Sequence, residues 1–253
     1  GHRFAAAGMH IVLADIDEVA MRNVEVELAE LGSTVVPVVC DTSLEASVHA
    51  LAQVALERFG GAHVVCNNAG VVGKGDPWTG PMSSWEWVVG INLYGVVHGI
   101  RAFLPIMQEQ GEGHFVNTAS MAGLIAMPGT AAYNATKTAV VAISEGLRLE
   151  LKHTGSPVSV SVLCPGFVRT NLVQGQKWQE RLGAEPGPTT SVMGALVEQV
   201  VDEGVRQGID PAAVAEAVHE AVTTDRFWIL THEDMRHQPV ERMLRAERQE
   251  NPE

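Results

Sequence analysis

Short apolar runs alternate with longer stretches whose apolar positions suit one face of a helix. The short runs, at 10–14, 34–40, 63–67, 113–120, 158–164 and 227–230, read as strands. The longer stretches, at 18–31, 44–59, 84–110, 131–153, 190–207 and 211–223, read as helices. Regular strand–helix alternation implies an α/β fold with a parallel sheet. The continuous apolar run at 35–39 suits a strand covered on both faces, yet Pro37 lacks an N–H, which places that strand at or near the sheet edge. Thr42 or Ser43 could cap the helix from 44, Asp17 the helix from 18, and Asp210 the helix that opens on Pro211.

No internal repeat or linker divides the chain, so residues 1–253 read as a single domain. The Gly/Pro-rich stretch 183–188 falls inside a segment, about 167–207, that reads as a mobile substrate lid. From about residue 233 the tail is highly charged and is expected to be partly ordered helix at best.

Candidate chemistry centres on Tyr133 and Lys137, which lie at i and i+4 and so share one helix face. An unperturbed phenol titrates near 10, so acid/base work near neutrality needs a shift of roughly 3 units, or about 4 kcal/mol. A cation about 5 Å away supplies on the order of 3 kcal/mol at an effective dielectric near 20. Lys137 could therefore make Tyr133 acidic, and an oxidised nicotinamide would add positive charge. Ser120 ends the strand-like run 113–120 and could hold a carbonyl or carbinol oxygen beside the phenol. A lone Tyr-x-x-x-Lys is a weak motif, compatible with a surface Tyr beside a helix Lys. Its position at a strand end and a helix start, where open α/β sheets gather ligands, gives it weight.

Five stretches together resemble the short-chain dehydrogenase/reductase family: Asn67-Asn68-Ala69-Gly70, Asn92 in INLYG, Ser120 in NTASMAG, Tyr133/Lys137 in YNATK, and Pro165-Gly166 in CPGFVRT. The resemblance runs from about Phe4 to about His232. It implies a Rossmann-like doubly wound parallel sheet and reversible hydride transfer between a nicotinamide cofactor and an alcohol or ketone. By the same resemblance Tyr133 is the general acid/base and Ser120 positions the reacting oxygen. Lys137 binds the nicotinamide ribose and lowers the Tyr pKa, and Asn92 holds a water relaying protons to Lys137. The family opens with a strand and a glycine-rich turn, T-G-x-x-x-G-x-G, and neither is found here. Residues 1–8 look like the tail of the helix that follows that turn, so about twenty residues are missing relative to the family pattern. Removing a strand near the middle of the order 3-2-1-4-5-6 should leave two facing, unpaired edges. Either the sequence is a truncated record of a functional enzyme, or the sheet is rearranged and activity is doubtful.

Asp15 ends the second family strand, where a carboxylate accepts ribose hydroxyls and repels a 2′-phosphate; with Ile16 beside it, NAD is preferred over NADP. Asp41 is expected at the adenine amino group with Thr42 beside it. Asn68, Ala69 and Gly70 allow close backbone approach to a ribose, while Asn67 braces the sheet. Pro165, Gly166, Val168 and Thr170 are expected around the carboxamide of the nicotinamide. Helix capping and ordinary turns are the competing roles for Asp15, Asp41, Thr170 and the Asn-Ala-Gly run.

Met121, Leu124, Ile125 and Met127 flank Ser120, and Trp78, Trp85 and Trp87 follow the strand at 63–67. With Trp178, Leu182, Val192, Met193 and Leu196 of the lid they suggest a pocket for a lipophilic secondary alcohol or ketone, although core or subunit contacts suit each equally. Arg169, Lys177 and Arg181 leave an acidic substrate open. By resemblance, the long helices 84–110 and 131–153 form a four-helix contact in a homotetramer, with a homodimer as fallback.

Net charge of −13 argues against nucleic acid and anionic membranes as partners. Cys40, Cys66 and Cys164 each end an apolar run, without a Cys-x-x-Cys pair, and read as buried strand residues of a cytoplasmic protein with no metal site. The apolar stretch 88–107 is broken by Asn92, His98, Arg101 and Pro105 and is not expected to span a membrane. His232 and His237 read as solvated helix-end residues. Two other outcomes stay open: epimerisation or dehydration on the same scaffold, which the lid would decide, and a non-catalytic assembly subunit without its cofactor loop. Cofactor titration separates the last from the enzymes.

Overall fold

The computed structural model describes residues 1–73, 75–172 and 189–252. A short helix α1 (His2–Ala6) leads into β1 (Ile11–Asp15), α2 (Glu18–Glu30), β2 (Val35–Val39), α3 (Glu45–Phe59) and β3 (Val64–Asn67). Then come α4 (Met82–Val89), a π-helical turn (Gly90–Tyr94), α5 (Gly95–Gln110), β4 (Gly113–Thr118), α6 (Ala131–His153) and β5 (Val158–Leu163). Helices Val192–Gln207 and Pro211–Thr223 and the short strand β6 (Trp228–Ile229) close the fold. The strands are those expected from the sequence, with their ends displaced by one or two residues; β1 ends at Asp15, one residue beyond expectation. All the ladders are parallel.

The sheet is in two pieces, β1-β2 and β3-β4-β5-β6. Thus β1 and β3 each carry an unpaired edge, as expected where the family's first strand would lie between them. Helix packing bridges what the ladder does not: Val12 of β1 and Val65 of β3 both pack against the cluster containing Val48, Phe103, Met107 and Phe115. Pro37 sits in β2, whose sole strand neighbour among the described residues is β1. Full cover on both faces of this strand is not found, because Val39 is 59% exposed. Cys66, expected to be buried, is also exposed, whereas Cys40 and Cys164 are buried. The physical reason is the same: the β1-β2 pair lies outside the four-stranded ladder and leaves β3 open.

The single helix expected over 84–110 is interrupted by the π-helical turn, with Gly90 and Gly95 at its two ends. A Cβ on Gly95 would lie 3.0 Å from Thr42 Oγ1, so glycine allows this helix to approach the loop after β2. The run 82–110 is long and apolar enough to cross a bilayer by composition, but half of its most apolar window is buried inside the fold, where α5 packs on α3, β3 and β4.

Neither Thr42 nor Ser43 caps α3. Its N-cap is Leu44 without a side-chain bond, and Asp41 closes the preceding turn by accepting from Ser43 N and Oγ. Asp17 and Asp210 cap as expected, accepting from Ala20 N and Ala212 N. Ser191 accepts from Gly194 N, so that helix starts at Val192 rather than at 190. Of the expected lid, residues 173–188, with Trp178, Lys177, Arg181 and Leu182, lie outside the described residues. The charged tail forms a defined helix, Gln238–Glu247, tied back by Arg242 Nη1 donating to Leu124 O at 2.8 Å.

Candidate active site

The carboxyl ends of β3, β4 and β5 open toward the start of α6. Ser120 follows β4 in extended backbone (φ −174°) and accepts from Ala122 N at 3.1 Å, which caps the 3₁₀ turn Met121–Gly123. Its hydroxyl acts on the phenol of Tyr133, lowering its pKa, and makes a long contact of 3.4 Å to Pro165 O. The helix register of α6 places Lys137 Nζ 5.6 Å from the centre of the Tyr133 ring. Lys137 is 3% exposed and donates to Thr118 O at 2.8 Å.

The electrostatics differ from the simple expectation of a phenol acidified by its ammonium neighbour. Burial raises the Tyr133 pKa, and the hydrogen bond from Ser120 pulls it down without overcoming the burial. Lys137 is itself depressed to about 8 by burial, and its hydrogen bond goes to a backbone carbonyl rather than to the phenol. Without a further positive charge beside the phenol, desolvation of the phenolate wins.

Asn92 is fully buried in the π-helical turn. Its Oδ1 accepts from Val71 N at 2.8 Å, and its Nδ2 donates to Val71 O at 2.9 Å and Thr136 Oγ1 at 3.3 Å. The side chain thus pins the strand after β3 to α6 and makes no direct bond to Lys137. Gly70 lies between them: a Cβ there would stand 3.4 Å from Lys137 Nζ and 3.5 Å from Asn92 Oδ1. π-Helical turns recur at functional sites, and here one turns a buried amide toward the lysine.

Asp15 is exposed at the end of β1, and its Oδ1 accepts from Asp17 N at 2.9 Å; Ile16 follows in the same turn. Asp41 combines its turn-closing role with a position at the end of β2, and Thr42 O accepts from His98 Nδ1. Asn68 Oδ1 accepts from Thr118 Oγ1 at 3.1 Å, which joins the ends of β3 and β4; Ala69 and Gly70 continue that loop. Asn67 braces the sheet by donating to Asn117 Oδ1 at 2.8 Å. Pro165 and Gly166 leave β5 beside Ser120, Val168 forms a bridge with Ile209, and Thr170 is exposed and accepts from Leu172 N.

A shallow cleft reaches Tyr133 and is lined by Asp76, Pro77, Trp85 and Thr130 among others. Trp85 Nε1 donates to Pro77 O at 2.7 Å, which fixes one wall. Trp87 and Met121 belong to the core instead, while Trp78, Val192, Met193 and Leu196 are exposed. Sequence reading missed two residues. Asp76 accepts from Thr190 N and Oγ1 and from Ser191 N and Oγ, and these bonds lower its pKa to about 2. His232, taken for a solvated residue, is half-buried and engaged through both ring nitrogens. Only its place just after the last strand could have signalled this.

A family model described as short chain dehydrogenase matches residues 1–181. The chain belongs to the short-chain dehydrogenase family. This member is 37% identical over 237 residues to 1-deoxy-11-beta-hydroxypentalenate dehydrogenase of Streptomyces exfoliatus, spanning 92% of the chain and 78% of that protein. It is 32% identical over 231 residues to a CLA biosynthesis dehydrogenase/reductase of Lactiplantibacillus plantarum, spanning 90% and 81%. Among solved structures, a short chain dehydrogenase/reductase from Burkholderia phymatum in complex with NAD matches with a TM-score of 0.93 and 38% identity, covering 100% of this chain and 92% of that one. This short-chain dehydrogenase is thus an oxidoreductase with the family's α/β Rossmann-like fold.

The residues present fit a nicotinamide cofactor at both of its ends. A carboxylate stands at the end of β1, and a glycine leaves open the space in front of Lys137 Nζ and Asn92 that a Cβ would fill.

Proposed function

We propose that this short-chain dehydrogenase interconverts a lipophilic secondary alcohol and its ketone with NAD, using Tyr133 as the general acid/base. The observation that carries this reading is the placement of Tyr133 on the wall of a cleft, with Lys137 Nζ 5.6 Å from its ring and the Ser120 hydroxyl acting on its phenol. A nicotinamide cofactor held here would supply the hydride chemistry, taking hydride in oxidation and giving it in reduction. Ser120 holds the carbinol oxygen by hydrogen bonding, and Tyr133 takes its proton in oxidation and returns it in reduction. The buried Tyr133 resists losing its proton in the chain alone, so the added positive charge of the cofactor completes its activation. Lys137 supplies the second charge and binds the ribose, and Asn92 orders a water that relays protons to it.

Asp15 and Ile16 would meet the adenosine ribose, and Asp41 and Thr42 the adenine. Asn68, Ala69 and Gly70 would line the path between, with Pro165, Gly166, Val168 and Thr170 around the carboxamide. The exposed carboxylate of Asp15 favours NAD over NADP, and Arg22 on α2 is already engaged by Glu18 at 2.6 Å. Trp85 and Pro77 favour an apolar substrate in the cleft. The family's contact through α5 and α6 supports a homotetramer or homodimer, with Tyr94 exposed in the turn before α5 and Leu149 exposed on α6.

Thermal shift with NAD and NADP tests the cofactor assignment: ligand at a hundred times its dissociation constant stabilises by about 2.7 kcal/mol. NAD should shift the melt at lower concentration than NADP. No shift with either would favour a non-catalytic assembly role.

A further inference from the structure

We propose that His232 is a positioning residue that fixes the 165–167 loop in the shape that receives the nicotinamide end of the cofactor and sets Ser120. This rests on the cofactor reading above and assigns a role to a residue outside the five family motifs.

His232 follows β6 by three residues and grips two successive peptides of the loop after β5. Its Nδ1 accepts from Gly166 N at 3.0 Å, and its Nε2 lies 3.1 Å from Phe167 O. Only the neutral tautomer with its proton on Nε2 satisfies both contacts, since a carbonyl cannot donate and a peptide N–H cannot accept. Thr231 Oγ1, 2.9 Å from Nδ1, is a second donor to the same nitrogen. The approach is close as well as polar: a Cβ on Gly166 would stand 2.9 Å from the imidazole and from Met235 Sδ.

The opposite side of the loop is equally constrained. Phe167 O also accepts from Ile209 N at 3.1 Å, and a Cβ on Gly204 would fall 2.7 Å from the Phe167 ring. Upstream, Pro165 O accepts from Met121 N at 2.8 Å and meets Ser120 Oγ at 3.4 Å. A continuous path therefore runs from His232 through Gly166 and Pro165 to the catalytic serine. A group held at both ring nitrogens by adjacent peptides fixes a loop more tightly than a single bond does.

The test compares wild type with His232→Leu and His232→Asn, by amide hydrogen exchange at Gly166 and by NAD affinity. Asparagine places its Oδ1 near the position of Nδ1 and retains the bond to Gly166; leucine retains neither. In His232→Leu, Gly166 exchange should speed up and NAD dissociation constant rise by about tenfold each, the loss of one good hydrogen bond. The KM for NAD should rise more than kcat falls, and His232→Asn should recover most of both effects. Unchanged Gly166 exchange or NAD affinity in His232→Leu overturns the proposal, as does an asparagine variant no better than leucine. Should the leucine variant not fold, His232→Asn against His232→Ala makes the same comparison. A wild-type chain that binds no nicotinamide cofactor overturns the functional reading and this inference together. Binding by wild type with unaffected variants overturns this inference alone.

Discussion

Lys137 Nζ lies 5.6 Å from the centre of the Tyr133 ring while its hydrogen bond goes to Thr118 O. The ammonium is thus buried beside a phenol without a carboxylate partner, and burial depresses its pKa from 10.5 to about 8. At neutral pH the folded chain keeps that charge at a cost of about 3 kcal/mol relative to the unfolded chain, the energy of the shift. The folded state binds fewer protons between pH 8 and 10.5, so this cost is relieved as pH rises through that window. Lys137→Met should therefore leave the denaturation midpoint at pH 7 unchanged or higher, while turnover falls by about 10² to 10⁴. Lys137→Arg should not rescue it, because a planar guanidinium does not reproduce the compact ammonium that donates to Thr118 O. Urea unfolding and steady-state rates on the two variants check both statements.

Asn92 makes a stability prediction of the opposite sign. Asn92→Ala would remove the fully buried amide that now satisfies the N–H and C=O of half-buried Val71. The expected loss is about 2 to 4 kcal/mol, read from the urea midpoint at constant slope. A loss under about 0.5 kcal/mol would mean that water replaces the amide freely.

His114 gives the fold an acid limit. Burial lowers its pKa from 6.5 to about 4, with Asp225 pulling up and Arg148 pushing down. It is held neutral beside Ser161 Oγ at 2.7 Å, and Ser161 donates onward to Arg226 O. The unfolded chain takes up this proton near 6.5 and the folded chain near 4, so stability falls as pH drops through that window, by up to about 3 kcal/mol. Unfolding measured from pH 7 to 4 should show this slope, and His114→Asn should flatten it.

Asp76 ties the loop lining the cleft to the start of the helix Val192–Gln207 through four donors. In Asp76→Ala, amides at Thr190, Ser191 and Gly194 should exchange faster, and KM for substrate should rise more than KM for NAD. Unchanged exchange at all three would show that the helix end holds itself.

Much of this was legible in the chain. Strand positions and the frame of α6 follow from local pattern, because buried parallel strands and an i, i+4 pair leave one-dimensional signals. The division into β1-β2 and β3-β4-β5-β6 agrees with the expectation of two facing edges. Other features were not legible, because they depend on contacts far apart in sequence. His232 and Gly166 are separated by 66 residues, and Asp76 and Thr190 by 114. The interruption at Gly90–Tyr94 depends on Asn92 meeting Val71, which no helical periodicity reveals. The Tyr133 pKa illustrates the same limit: spacing supplied the neighbouring cation, but only the fold shows that burial raises the phenol's pKa against the pull of Ser120.

The most direct measurement follows reduced-nicotinamide absorbance with NAD and a panel of hydrophobic secondary alcohols, for wild type and Tyr133→Phe side by side. Wild type should turn over at least one alcohol. Tyr133→Phe should bind NAD about as well and lose about 10² to 10⁴ of the rate. Undiminished turnover in Tyr133→Phe would contradict the assignment of that phenol as the acid/base.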